Sequence, residues 1–297
     1  MNGALASVAD FSGLNVGEAQ RVCVSFLKEN GIDQPVLEAR ILLGYVLGGG
    51  PERVLADRDE TLSQDQAARV VDVLNRRCRH TPMAHITGLR EFWSLPFKVT
   101  PVTLIPRPDS ETLVEAALDH VVNSPANVLD LGTGSGCLVL ALLSEWRRAH
   151  GTAVDASAPA LAVAMENAKA LGLADRITPV QADWTEDGWM DALNGPFDVI
   201  VSNPPYIPSS DIENLHEDVR AHDPWSALDG GASGLDAYRV LAPCTMELLK
   251  PGGVTIFEVG IGQAEDVSRL LSGAGLVVLE TRADLGGVVR VVIARKS

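Results

Sequence analysis

From residue 110 onward, short aliphatic runs alternate with segments of helix length, and this rhythm restricts the fold more than any other feature of the chain. The runs predict strands at Val128–Leu131, Thr152–Asp155, Ile177–Gln181, Val199–Ser202, Gly253–Val259, Leu276–Thr281 and Gly287–Ala294. Helices fit between them at Ser110–Val122, Cys137–Arg148, Ala158–Leu171, Leu235–Leu249 and Ala264–Ala274. Near-continuous apolar strands separated by helices read as a largely parallel sheet covered on both faces. The last two strands follow each other without a helix, which predicts an antiparallel pair. The expectation is one α/β domain over residues 109–297.

Residues 1–80 have a different period. Val22, Phe26 and Leu27 share a face of a helix predicted over Val16–Asn30, and Gly31 stops it. A second helix, Pro35–Leu47, places Leu37, Ile41, Leu42 and Val46 on its apolar side before Gly48-Gly49-Gly50. Ser63 and Gln66 form a capping box for a third, which carries Val70, Val71 and Leu74. Three such helices make a small bundle. Arg76, Arg77 and Arg79 read as its solvated helix end, with a partner contact as the alternative. Pro82, Pro96, Pro101, Pro106 and Pro108 break the pattern over residues 81–108, which read as a linker containing a β-hairpin.

Charge narrows the function. The 297 residues carry 24 basic and 39 acidic side chains, net −15. Residues 1–80 hold 9 basic and 11 acidic groups, so most of the excess lies beyond residue 80. Phosphate backbones are gripped by positive surfaces, so direct nucleic-acid binding is not expected. Cys23, Cys78, Cys137 and Cys244 lack ligand-like spacing, which argues against a zinc site or a disulfide scaffold. Met1–Asp10 lacks the basic start and long apolar run of a signal peptide, and no apolar stretch is long enough to span a membrane. A soluble cytoplasmic protein is expected, with no metal and no membrane association.

The predicted strand ending at Leu131 runs directly into Gly132-Thr133-Gly134-Ser135-Gly136, with a helix predicted from Cys137. Alternating glycines let backbone approach a ligand where a Cβ would collide, and helix N-terminal amides point into the same space. Asp155 stands at the end of the next strand, where a carboxylate can accept both hydroxyls of a ribose. The loop is not the dinucleotide GxGxxG, nor a Walker loop, because no GK[ST] follows. With Asp130 before it, it resembles motif I of the class I S-adenosylmethionine methyltransferases. That resemblance implies cofactor contacts from Asp130, Gly132, Thr133, Gly134, Ser135, Gly136, Asp155 and Asn203. It also implies that Asp183 meets the adenine amine and that Trp184 packs on the ring.

Asn203-Pro204-Pro205-Tyr206 ends the predicted strand at Val199–Ser202, on the side of an open α/β sheet where ligands bind. The prolines remove two backbone donors and fix φ, which leaves rigidly placed carbonyl oxygens. Asn203 adds an acceptor and Tyr206 a flat ring. Two acceptors and a ring suit a planar NH2 group, whose delocalised lone pair makes it a poor nucleophile that must be held in line. This pattern points to methyl transfer onto a planar nitrogen.

Longer stretches resemble the PrmC/HemK family, the release factor glutamine methyltransferases. They are the helical bundle, Gly88-Leu89-Arg90-Glu91-Phe92-Trp93 with Phe97, Ile105 through Glu111, Leu129 through Gly136, Asn203 through Ile207, Val219 through Pro224, and Glu258-Val259-Gly260 with Gln263. The resemblance implies a class I methyltransferase fold: a Rossmann-like seven-stranded sheet behind a small N-terminal helical bundle and a hairpin linker. It implies S-adenosyl-L-methionine as methyl donor, S-adenosyl-L-homocysteine as product, and N5-methylation of the Gly-Gly-Gln glutamine of peptide chain release factors. Asn203 and the Pro204 carbonyl would hold the glutamine amide, with Tyr206 stacking near it and Pro205 in the same loop, and Phe97 would form another wall of the glutamine pocket. Arg107 and Glu111 would organise the cofactor mouth without a chemical step, with a purely structural charge pair as the alternative, and the bundle would recognise the substrate. The chain departs from the family at Asp223, where Glu is usual, and at Ser110, where Thr is common. It also lacks the Gly that often follows the aromatic pair Phe92-Trp93, which is expected to alter the hairpin turn and not the reaction.

Other readings share the motif. N6-adenine and N4-cytosine DNA methyltransferases use a similar loop but must grip and flip a base, which calls for a basic groove. A glutamine methyltransferase acting on another protein, or a scaffold that kept the fold, are the remaining alternatives.

Overall fold

The computed structural model describes residues 5–121 and 125–297, and the chain divides into two compact units. The first comprises residues 1–88 together with Glu217–His222. Its helices are α1 (Val16–Glu29), α2 (Pro35–Val46), α3 (Arg53–Ala56), α4 (Gln64–Cys78) and α5 (Met83–Thr87). Asn15 and Glu18 cap α1 reciprocally, Pro35 opens α2, and the Ser63–Gln66 box opens α4 as read from the sequence. The unit extends to Gly88 and not to residue 80. Pro82 initiates α5, and Ile86 joins the bundle core before Gly88 closes the helix at φ +75°.

The buried faces differ in detail from those expected. In α1 the inward stripe is Val16, Ala19, Cys23 and Leu27, with Val22 and Phe26 at its margin. Leu37 of α2 is exposed, while Leu42 and Val46 are buried. Arg77 is not solvated: only 6% of it is exposed. Its guanidinium bonds to Glu38 and, at 2.9 Å, to Asp218 of the 217–222 segment. Burying a charge requires such partners, and two carboxylates supply them.

The second unit holds residues 89–216 and 223–297. It begins with a hairpin, β1 (Leu89–Phe92) and β2 (Leu95–Lys98). In chain order there follow α6 (Glu111–His120), β3 (Asn127–Leu131), α7 (Cys137–Glu145), β4 (His150–Asp155), α8 (Ala158–Ala170), β5 (Ile177–Gln181) and β6 (Phe197–Ser202). After the short α9 (Glu217–Arg220) of the first unit come α10 (Asp236–Leu248), β7 (Leu249–Glu258), α11 (Ala264–Gly273), β8 (Val277–Ala283) and β9 (Val289–Arg295). The predicted helix end at Val122 lies outside the described residues.

The strands form one seven-stranded sheet in the order β5-β4-β3-β6-β7-β9-β8. Pairing is parallel from β5 to β7, and β9 runs antiparallel to both β7 and β8, as the sequence rhythm required. Successive strand residues point to opposite faces. Val128, Val199, Ile256 and Ile293 accordingly enter one core with α6 and α7, while Leu129, Ile200, Phe257 and Val292 enter another with α10 and α11. The strand order reverses between β3 and β6. Open α/β sheets leave a crevice at such a point, beyond the strand C-termini. The glycine loop follows β3 and the Asn-Pro-Pro-Tyr loop follows β6, so the topology alone brings the two motifs together. Among the described residues, no helix is long and apolar enough to cross a membrane, and no group of three metal-ligating side chains could hold an ion.

Candidate active site

A cavity of about 340 Å³ opens at that reversal. Gly132, Thr133, Gly134, Ser135, Asp155, Asp183, Trp184, Asn203, Pro205 and Arg107 all line it. These are ten of the residues singled out from the sequence. Val102, Thr103, Leu104 and Pro106 from the hairpin-to-α6 connector and Pro224, Ser226, Ala227 and Asp229 also line it. Pro106 and Pro224 lie in stretches that carry the family resemblance, whereas no motif announced Val102, Thr103, Leu104, Ser226 or Asp229.

The glycine loop is built by backbone bonds. The amides of Gly132 and Thr133 both donate to the Val154 carbonyl at 2.9 Å, so the loop folds over the end of β4. Gly132, Gly134 and Gly136 have φ of +76°, +53° and +80°, which an L side chain rarely adopts. A Cβ on Gly132 would lie 3.2 Å from Trp184, so the indole covers bare backbone there. Asn167 of α8 is buried and braces the loop from behind, donating to the Ser135 carbonyl at 2.9 Å while bonding both ways to the backbone of Lys98. Gly136 itself sits at the start of α7 beneath the loop, outside the cavity wall.

The acidic residues divide into two kinds. Asp155 lines the cavity and also accepts from the amides of Gly134, 2.8 Å, and Ser157, 2.9 Å. Burial raises its pKa, and those two amides oppose the shift. Asp130, expected to face the ligand, lies wholly buried below the loop instead. Its Oδ2 accepts from the Thr133 hydroxyl at 2.7 Å, Oδ1 has no partner, and burial pushes its pKa up to about 7.

The Asn-Pro-Pro-Tyr loop is clamped by three glycines. A Cβ at Gly230 would meet the Tyr206 backbone at 2.8 Å, and one at Gly234 would collide with the Tyr206 carbonyl. One at Gly260 would meet the Tyr206 ring at 3.0 Å. Gln263 donates to the Tyr206 carbonyl at 2.8 Å and accepts from the Gly260 amide. Tyr206 therefore does not stack in the cavity: its ring packs against the α10–α11 core. Pro204 is buried, and Asn203 and Pro205 form the part of the loop that faces the cavity.

Two further residues lie outside the cavity wall. Phe97 is fully buried and meets Phe92 edge-on, ring centres 6.2 Å apart, so it is core and not a pocket wall. Glu111 holds the hairpin, its Oε1 accepting from the Trp93 amide at 2.8 Å. Trp93 and Ser94 make the turn at φ +53° and +55°, the left-handed conformations that the missing Gly would have adopted freely. Arg107 does line the cavity, and it pairs with the buried Asp223.

Glu258 lies in the Glu258-Val259-Gly260 stretch that carries the resemblance, but no role was expected of it. It ends β7 and is 2% exposed, beside Asn203 in register because Ser202 pairs with Phe257. Burial raises its pKa to about 7. An ordinary Asp or Glu ionises near 4 in the unfolded chain, so Asp130 and Glu258 bind protons more tightly when folded. Their contribution is favourable at acid pH and is lost as pH rises through about 7. Thermal unfolding of the ligand-free protein is therefore expected to move to lower temperature between about pH 4 and 7. A melting temperature that rises over that interval would contradict the burial of these two acids.

Residues 18–88 match the PrmC N-terminal domain model and residues 109–220 the methyltransferase small domain model. The release factor glutamine methyltransferase of Bradyrhizobium diazoefficiens is 45% identical over 291 residues, 96% of each chain. That of Rhodospirillum rubrum is 46% identical over 270 residues, 91% of this chain and 82% of its own. The chain belongs to the release factor glutamine methyltransferase family. A methyltransferase from Pyrococcus furiosus shares the fold, with a TM-score of 0.52 over 68% of this chain and 89% of its own, at 18% identity. The family's cofactor is S-adenosylmethionine. The site fits it: bare glycine backbone beneath Trp184 leaves room for a nucleoside, and Asp155 offers a carboxylate at the cavity wall.

Proposed function

We infer that the protein transfers a methyl group from S-adenosylmethionine to the side-chain nitrogen of the Gly-Gly-Gln glutamine of a peptide chain release factor, giving N5-methylglutamine. The observation that carries this is the sharing of one cavity by the glycine loop with Asp155 and by Asn203 with Pro205. Cofactor loop and amide-holding loop open into the same space, and the full-length relatives bear the release-factor name. That name favours a release factor over the exocyclic amine of a DNA base.

When bound, the cofactor supplies an electrophilic methyl group on a sulfonium. The chain's residues supply the rest. Asn203 Oδ1 and the Pro204 carbonyl accept the two N–H groups of the glutamine amide and aim its nitrogen. As that nitrogen becomes positive its N–H groups become stronger donors, so both acceptors favour the transition state over the ground state. Gly230, Gly234 and Gln263 keep the loop from relaxing. Arg107 and Asp223 shape the opening. No covalent intermediate or strong base is called for. Incubating a release factor with the protein and S-adenosylmethionine, followed by peptide mapping, tests the reading: a one-methyl mass gain confined to the Gly-Gly-Gln peptide is expected.

The first unit recognises the body of the release factor, because a tripeptide loop offers too little surface for selective binding. Its α2 exposes Val36, Leu37 and Tyr45. Leu37→Glu is expected to lower kcat/KM for the full-length factor by about 10-fold, the loss of one buried apolar contact with a charge added. A short Gly-Gly-Gln peptide should be methylated as before. Equal kcat/KM for both substrates in wild type and variant would remove recognition from this face of the bundle.

A further inference from the structure

The side-chain amide of Asn203 has an accepting end and a donating end, and a half-turn about its last bond exchanges them. Only one rotation serves the reaction. Oδ1 must face the acceptor, because an amide NH2 presents donors and Nδ2 would present two more against it. The groups behind Asn203 decide the rotation, and there are two of them.

Ser110 is the first: its Oγ accepts from Asn203 Nδ2 at 3.4 Å, a long hydrogen bond. A hydroxyl can donate as readily as it accepts, so Ser110 tolerates either rotation. Glu258 is the second. Its carboxylate is faced by both the Ser110 hydroxyl and the Asn203 amide, it is 2% exposed, and its Oε2 has no partner. Tyr238 fixes the strand end beneath it by donating to the Glu258 carbonyl at 2.7 Å. An ionised carboxylate only accepts, and it would repel Oδ1.

We propose that Glu258 is a positioning residue which, as the carboxylate, holds Asn203 Nδ2 toward itself and thereby turns Oδ1 toward the methyl acceptor. The inference rests on the reading that Asn203 holds the glutamine amide. Protonation undoes the arrangement, since a carboxylic acid carries an O–H that can donate to Oδ1 and so makes the unproductive rotation as good as the productive one. The charged groups acting on Glu258 are Arg290 of β9, which favours ionisation, and Asp109 before α6, which opposes it. Tyr206 of the Asn-Pro-Pro-Tyr loop, Tyr238 of α10 and Cys137 of α7 are neutral neighbours. With burial they leave the acid half-protonated at about pH 7 in the ligand-free protein.

Two measurements test this. In ligand-free protein labelled with 15N-asparagine, the Asn203 Nδ2 resonances should titrate with a midpoint near pH 7, and Glu258→Gln should abolish the titration. In turnover with a release factor, Glu258→Gln should lower kcat by about 10-fold or more, leave KM and cofactor Kd within about 3-fold, and flatten the rise of kcat with pH. Its melting temperature at pH 8 should equal or exceed that of wild type, because a buried charge has been replaced by a neutral isostere. That is a result a merely structural glutamate would not give. Asn203 resonances that do not titrate in wild type, or a variant with unchanged kcat and pH profile, would overturn the proposal. If wild type itself methylates no release factor, the substrate reading fails, while the resonance titration still decides the role of Glu258.

Discussion

Asn203→Ala should methylate a release factor about 100-fold more slowly than wild type, or slower still, because one preorganised polar contact to developing charge is worth about 2.7–4 kcal/mol. Affinity for S-adenosylmethionine should change by less than about 3-fold, since the glycine loop and Asp155 remain. Single-turnover rates at saturating cofactor give the comparison. Asn203→Asp sharpens it. Aspartate keeps an acceptor oxygen but loses the Nδ2 donor that faces Ser110 and Glu258, and it would set two carboxylates side by side in a buried place. Such a pair cannot ionise together, so one would hold a proton and the acceptor geometry would be lost. The aspartate variant is therefore expected to be nearly as slow as alanine. A near-wild-type rate for Asn203→Ala would refute the amide site outright.

The second large effect is on binding. Asp155→Ala should weaken S-adenosylmethionine and S-adenosylhomocysteine by about 1.5–3 kcal/mol, or about 10- to 150-fold in Kd, through loss of charge-assisted hydrogen bonds. The structure adds a reason beyond the ribose. Asp155 accepts from the Gly134 amide, so its removal also leaves part of the loop backbone unheld. Asp155→Asn retains an acceptor for that amide and should bind more tightly than the alanine variant. Calorimetry with both nucleosides, and with NAD as a competitor expected to have no effect, measures this. Equal affinity for NAD would sink the cofactor assignment.

The fold was legible because buried parallel strands must be nearly all apolar, so Val128–Leu131 and Val199–Ser202 stood out against their surroundings. The motif residues of the cavity were legible for a related reason: glycines and prolines restrict backbone whatever the rest of the chain does. What failed were inferences about side-chain direction. Phe97 lies two residues from Leu95 in a strand whose alternate positions turn inward, so the period that defined the hairpin also argued for burial. Arg77 shares a helical stripe with Val70, Val73 and Leu74, a spacing that placed it in the core despite its charge. Tyr206 was read from its own motif, whereas glycines more than twenty residues downstream determine where its ring goes. Glu258 was legible as part of the Glu258-Val259-Gly260 stretch, but local reading gave it no role. Its importance arises from the register of β6 against β7, which sets it beside a residue 55 positions earlier in the chain.

The bond between Arg77 and Asp218 joins residues 141 positions apart. During synthesis at about 5–20 residues per second, Arg77 is added to the chain roughly 7–28 s before its second carboxylate exists. The helical unit cannot reach its final form in that interval, with only Glu38 to neutralise the buried guanidinium, and its completion waits until most of the sheet domain has been translated. Order of emergence from the ribosome and order of maturation are thus decoupled in this chain: the segment made first is among the last to be finished.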